Sequence, residues 1–205
     1  MVAVSKDAVR NVLVGHPWFA GETAPVLDAL MGVGQVCSFP RNKQIFAKGE
    51  PGDSLMLVVD GVIKVWSVSI EGREAVLSFL TEGDLLGEIA ALDGGPRTAD
   101  ATAIAPVAAF VWRREAFRQA VLDRPHFALR IVGVLCTRLR DTNVMVEAAV
   151  QLPMAARVAR GLVSLLRRAG RETPEGWRLD FRLTQRDLGA YVGLARENVN
   201  RQLKQ

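Results

Sequence analysis

Histidine and cysteine are scarce in this chain, and neither is placed to do chemistry. Only His16 and His126 occur, neither beside a second ligand type, which argues against a zinc centre or a histidine-based catalytic site. Each is expected as a core or surface residue. Cys37 and Cys136 stand alone without metal-ligand spacing, as expected of reduced thiols in a cytoplasm. No apolar run approaches the ~20 residues needed to cross a membrane, and no charged-then-apolar segment opens the chain, so no membrane role is expected. A nucleophile–base pair, a metal cluster and a nucleotide-hydrolysing loop are missing as well, so nothing supports an enzyme.

What is present is an ordinary globular composition, 49% hydrophobic and 23% charged over 205 residues, enough for one large or two small domains. The net charge of +4 hides an asymmetry. Residues 1–153 carry 15 Lys and Arg against 17 Asp and Glu, a net of −2, whereas residues 154–205 carry 11 against 5, a net of +6. A basic C-terminal segment on a slightly acidic body points to a polyanion for that segment, with a solvated basic face as the alternative.

The texture changes twice along the chain. The first ~30 residues, with Pro17 and Pro25, read as a helical lead-in. From Gly34 to Trp112, short β-rich runs (Leu55–Val59, Val62–Val68, Ala75–Leu80) alternate with Asp60-Gly61, Glu71-Gly72 and Glu82-Gly83-Asp84 turns. Such spacing predicts a small antiparallel barrel or jelly roll. After Trp112 the period becomes helical: Glu115–Leu122 is a short helix, and a long one runs from Pro125 until Pro153 stops it. Ala128, Val132, Leu135, Leu139, Thr142, Val146 and Ala149 form a stripe in alternating steps of four and three, the period of a coiled-coil seam. That stripe predicts a homodimer, the alternative being that it packs on its own β domain. Met154–Ala169 is a further amphipathic helix stopped by Gly170, and Trp177, Leu179, Phe181 and Leu183 alternate as in a half-buried strand.

Residues 87–99 are the most informative stretch: Gly-Glu-Ile-Ala-Ala-Leu-Asp-Gly-Gly-Pro-Arg-Thr-Ala. Gly87 lets a ligand approach the backbone, and the short turn from Glu88 offers N–H groups to an anion. Arg97 supplies a planar fork for phosphate, and ionised Glu88 accepts a hydrogen bond from a sugar hydroxyl. A buried acid, a buried arginine and a glycine approach together point to a phosphorylated sugar. The alternative is a loop in which Arg97 and Glu88 merely pair. The stretch resembles the phosphate-binding cassette of cyclic-nucleotide-binding domains, and the resemblance assigns Gly87, Glu88, Ile89, Ala90, Arg97, Thr98 and Ala99 to the ligand.

The C-terminal segment has the skeleton of a helix-turn-helix. Thr184 stands at an N-cap position with Asp187 three residues on, a variant of the capping box. Leu188 and Val192 share a helix face, Gly189 is small where a second helix packs, Gly193 suits the turn, and Leu194, Val199 and Leu203 line the next helix. Arg196, Glu197, Asn200 and Arg201 then face outward. Arginine can bond guanine and glutamate can accept from cytosine in the major groove.

Taken in order, these parts resemble the Crp/Fnr superfamily of transcription regulators, closest to its cyclic-AMP receptor type. The resemblance implies an α+β chain with residues 1–123 as the cyclic-nucleotide domain, 124–152 as the dimerisation helix and 153–205 as a winged helix-turn-helix. The sequence stops at Gln205, within or just after the recognition helix, so the wing is expected to be absent or truncated. Thr142 matches a threonine that contacts adenine across the dimer, while Asn143 replaces the serine beside it. Thr98 resembles a hydroxyl of cyclic-GMP-selective cassettes, so cyclic AMP is favoured without cyclic GMP being excluded. Thr184, Gln185, Arg196, Glu197, Asn200 and Arg201 are implied DNA contacts, with TGTGA-like palindromic half-sites roughly 34 Å apart and RNA polymerase as a further partner. Ala195 departs from the family's usual serine at a helix cap. Other readings are a nucleotide sensor that acts on a protein partner and a ligand-independent regulator of the same superfamily.

Overall fold

The structure, a computed structural model, describes residues 4–204, so the outer bounds 1 and 205 of the expected domains lie outside the described residues. Two compact units divide the chain: one holds residues up to Ile63 together with Leu80–Arg138, the other Lys64–Phe79 together with residues from Leu139 on.

The first unit begins with helix α1 (Lys6–Gly15), whose N-cap Ser5 accepts the Ala8 N–H at 3.1 Å. A 3-10 turn at Pro17–Phe19 and α2 (Ala24–Gly32) follow. The chain then enters strands β1 (Gly34–Phe39), β2 (Gln44–Phe46), β3 (Ser54–Asp60), β4 (Ile63–Val68), β5 (Glu74–Leu80) and β6 (Leu85–Leu86). Helix α3 (Glu88–Asp93), strands β7 (Asp100–Ala103) and β8 (Val107–Arg113), and α4 (Arg114–Leu122) complete the β domain. The strands form two four-stranded sheets, ordered β1-β8-β3-β6 and β2-β7-β4-β5, with β1–β8, β3–β8, β3–β6 and β2–β7 antiparallel. A jelly roll results, and the closed barrel offered alongside it is corrected. Edge strands β6 and β2, two and three residues long, are too short to carry hydrogen bonding from one sheet to the next.

The core of this unit is aromatic. Trp18, Phe19, Trp112, Phe117 and Phe127 are buried together, and the Trp112 indole donates to the Leu30 carbonyl at 2.9 Å. His16 is a buried core histidine whose Nδ1 accepts the Trp18 N–H at 3.2 Å. Burial, and then the charge of Arg138, lower its pKa to about 4. His126 is a surface residue against Glu22 at 2.9 Å, and Arg130 joins the same carboxylate at 2.9 Å.

Helix α5 (Pro125–Gln151) is the long helix the period predicts. Its first turns bury Phe127 and Ile131 in the aromatic core, with Val134 and Leu135 packed against it. The rest of the predicted stripe is open: Val132, Leu139 and Val146 are 53%, 61% and 59% exposed.

In the second unit, α6 (Met154–Ala169) leads into a hairpin of β9 (Gly170–Thr173) and β10 (Gly176–Leu179). Here the sequence expectation is corrected. The alternation from Trp177 to Leu183 ends as a strand at Leu179, because β9 begins at Gly170 and offers no partner beyond the Gly170–Leu179 pair. Trp177 is 55% exposed, not half-buried, and Phe181 packs instead on Phe79, ring centroids 5.9 Å apart. Helices α7 (Gln185–Val192) and α8 (Arg196–Leu203) follow.

Candidate functional site

Arg97 is brought into the first unit's interior by backbone bonds on both sides of its peptide, to the Glu50 carbonyl at 2.8 Å and from the Gly49 N–H at 2.9 Å. The residue is 4% exposed. Nη1 donates to the carbonyls of Ser54 at 2.9 Å and Gly87 at 3.3 Å, and Nη2 donates to Ser54 Oγ at 2.8 Å. The Phe46 ring lies 4.3 Å from the guanidinium carbon, an added cation–π contact. Nε has no partner although it is buried. Burial lowers the arginine's pKa, against the nearby charges of Asp53, Glu50 and Glu88. A charge held this way calls for an anion.

Gly87 makes that position possible. Its φ of 85° is left-handed, and a Cβ there would lie 2.2 Å from Arg97 Nη1. The first-turn N–H groups of Glu88, Ile89 and Ala90 have no intrahelical acceptor, and Gly87 as the N-cap of α3 offers them no side-chain acceptor. Ala90 and Ala99 are buried, and Ile89 and Thr98 are exposed.

Glu88, 8% exposed, does not merely pair with Arg97, which settles one alternative left open by the sequence. Its carboxylate takes a hydrogen bond from Arg138 Nη1 of α5, and Arg138 Nη2 donates to the Leu85 carbonyl at 3.1 Å. Acid and arginine therefore share one cassette with separate partners. Ser54, Phe46 and Arg138 were missed from sequence, since each reaches the site only through folding. Thr142 and Asn143 belong to the second unit, where both are exposed on α5.

The second candidate surface lies on α7 and α8. Thr184 Oγ1 accepts the Asp187 N–H at 3.0 Å, which forms the predicted N-cap, and donates to Asp187 Oδ2 at 2.5 Å, so Asp187 binds the Thr184 hydroxyl. Gly193 caps α7 in the left-handed region with φ 67°, and a Cβ on Gly189 would meet the Leu194 carbonyl at 2.6 Å. Arg157 of α6, unforeseen, fixes this turn: its guanidinium donates to the carbonyls of Val192 at 2.6 Å and Gly193 at 2.8 Å. Arg196, Glu197 and Arg201 project from α8 into solvent, Arg201 bonding Asn198. Asn200 is half-buried and takes a 3.4 Å hydrogen bond from Gln185. Arg182, Thr184, Gln185, Arg186 and Arg196 line a cleft of about 550 Å³ between the two helix starts. Ala195 leaves the start of α8 without a side-chain cap. Among the described residues, no group of three or more His, Cys, Asp or Glu could hold a metal ion, and no helix is long and apolar enough to cross a membrane.

Comparison with known proteins agrees with this division of labour. Residues 36–124 match the cyclic nucleotide-binding domain family, and residues 156–205 the Crp-like helix-turn-helix domain family. A CRP-like cAMP-activated global transcriptional regulator of Mycobacterium tuberculosis is 36% identical over 185 residues, covering 90% of this chain and 83% of the relative. The cyclic AMP receptor protein of Thermus thermophilus is 30% identical, covering 92% of this chain and 84% of the relative. The structure of a c-di-GMP-responsive global regulator of Xanthomonas campestris superposes with a TM-score of 0.73 over 89% of this chain and 90% of its own. At 22% identity that likeness shows the fold alone. A cyclic-nucleotide-binding match followed by a Crp-like helix-turn-helix, with a relative 36% identical over 90% of the chain, places the chain in the Crp/Fnr superfamily of transcription regulators.

Proposed function

We propose that the chain is a homodimeric regulator whose affinity for DNA is set by a cyclic nucleotide, cyclic AMP in preference to cyclic GMP. The observation that carries this reading is Arg97: a buried guanidinium with an unpartnered Nε, in a slot that only glycine at position 87 permits. The cyclic phosphate accepts from Arg97 and from the N–H groups of Glu88, Ile89 and Ala90. Thr98 and Ala99 form the wall beside it. Glu88 accepts from the ribose 2′-hydroxyl, which then competes with Arg138 for the same carboxylate. Ligand occupancy is thereby registered on α5.

In this reading residues 1–123 are the sensor, 124–152 the dimer helix and 153–205 the DNA module. The open stripe through Val132, Leu139 and Val146 pairs with a second copy, an arrangement that would bring Thr142 and Asn143 to the base. Arg196, Glu197 and Arg201 read base edges, while Thr184, Gln185 and Asn200 set register on the phosphates of TGTGA-like palindromes. RNA polymerase is the downstream partner, and the cytoplasm the place of action.

Isothermal calorimetry with each nucleotide tests the ligand. Cyclic AMP is expected to bind more tightly than cyclic GMP, and Thr142→Val to narrow that preference by ~0.5–1.5 kcal/mol, the worth of one neutral hydrogen bond. Equal ratios in wild type and variant would remove Thr142 from the site, and no heat with either nucleotide would remove the reading.

A further inference from the structure

The β4–β5 hairpin lies within the cyclic-nucleotide-binding match, yet by its contacts it belongs to the unit that carries the helix-turn-helix. The contacts are specific. Lys64 Nζ of β4 donates to Glu74 Oε1 of β5 at 2.7 Å and to Asp187 Oδ1 of α7 at 2.9 Å. All three side chains are 14–16% exposed. Glu74 Oε2 also accepts from Arg186 Nη2 at 3.2 Å. Burial opposes the charge on Lys64, but the two carboxylates outweigh it and hold its pKa above that of ordinary lysine. Burial likewise opposes the charge on Asp187, and Thr184 and Lys64 outweigh it. Arg186, 75% exposed, is the open end of this set of two cations and two anions, and Phe79 packs edge-on against Tyr191 of α7, centroids 5.5 Å apart.

Arg186 lines the cleft that Thr184, Gln185 and Arg196 share. A carboxylate bound to it neutralises one of the charges that would attract phosphate and sets a like charge in the phosphate's path. We propose that the β4–β5 hairpin is an autoinhibitory latch on α7, in which Glu74 occupies Arg186 until a DNA phosphate displaces it. Lys64 is the positioning residue: it holds Glu74 in place and ties the hairpin to Asp187. The latch rests on the reading of α7 and α8 as a DNA-binding surface.

Fluorescence anisotropy of the full chain on a random duplex, without nucleotide and at one fixed salt concentration, tests the latch. Glu74→Gln is expected to bind about threefold or more tighter, the scale of a partly screened ion pair. Lys64→Met should also bind tighter although it removes a positive charge, a sign that plain electrostatics does not give. Glu71→Gln on the same hairpin, whose exposed partner is Arg73, makes the same charge change away from α7 and should stay close to wild type. Glu74→Gln equal to Glu71→Gln, or Lys64→Met weaker than wild type, overturns the latch. Should Lys64→Met fail to fold, Glu74→Gln decides by itself. Hydrogen exchange across residues 64–79, measured without DNA, should rise in Glu74→Gln. Unchanged exchange with duplex binding intact overturns the latch alone, whereas no duplex binding by any form overturns the DNA reading and the latch with it.

Discussion

Arg97 is held by Ser54, Gly87 and Phe46 before any ligand arrives, so its fork is preorganised and little ordering entropy is lost when an anion binds. Arg97→Ala removes a charge-assisted contact of ~1.5–3 kcal/mol, and nucleotide affinity by calorimetry should fall at least about tenfold with the β domain still folded. The cassette was legible because its parts sit within thirteen consecutive residues. Its supports were not: Ser54 and Arg138 stand 43 and 50 residues from the partners they hold, a distance that only strand register and helix packing close. His16 makes a separate, pH-dependent contribution. Its folded pKa of about 4 lies below the ordinary 6.5, so the neutral ring favours the folded state fully above pH 6.5. As pH falls from 6.5 to 4 the unfolded chain takes the proton first, and about 3 kcal/mol is lost across that window. His16→Asn keeps an acceptor for the Trp18 N–H and removes the titration, so urea unfolding should show a flatter pH slope between 6.5 and 4.5.

At the scale of elements, helices were read more faithfully than strands. Thr184, Gly189 and Gly193 fix α7 and its turn through local chemistry, and the structure places all three as expected. The run from Trp177 to Leu183 misled because alternation records which side chains are covered, not what covers them. Phe181 lies beyond the last β9–β10 pair and is covered by the ring of Phe79 on β5, so its burial did not require it to be in a strand. Ala195 is an element-level weakness that the sequence did reveal: α8 starts with extended backbone (φ −66°, ψ 149°) suited to a cap and no side chain to provide it. Ala195→Ser should stabilise the C-terminal unit by about 1 kcal/mol, read as a higher thermal midpoint for its unfolding.

For the whole molecule, charge and exposure divide the tasks. In the proposed function the net of +6 over residues 154–205 would supply long-range attraction to a polyanion, and the open α5 stripe would supply a surface for a second copy. A nucleotide can couple the two only by binding one arrangement of the protein more tightly than the other. The sequence could indicate each part because each has a local code, but the grouping of the β4–β5 hairpin with α7 depends on Lys64 meeting Asp187 across 123 positions. The most direct test is a gel-shift titration of the full chain on a TGTGA palindrome and on random duplex, at one salt concentration, with and without cyclic AMP. Cyclic AMP should tighten binding to the palindrome selectively, and Arg196→Ala should cost ~1–3 kcal/mol there and far less on random duplex. Binding that ignores the nucleotide, or an Arg196→Ala loss equal on both duplexes, would contradict the account.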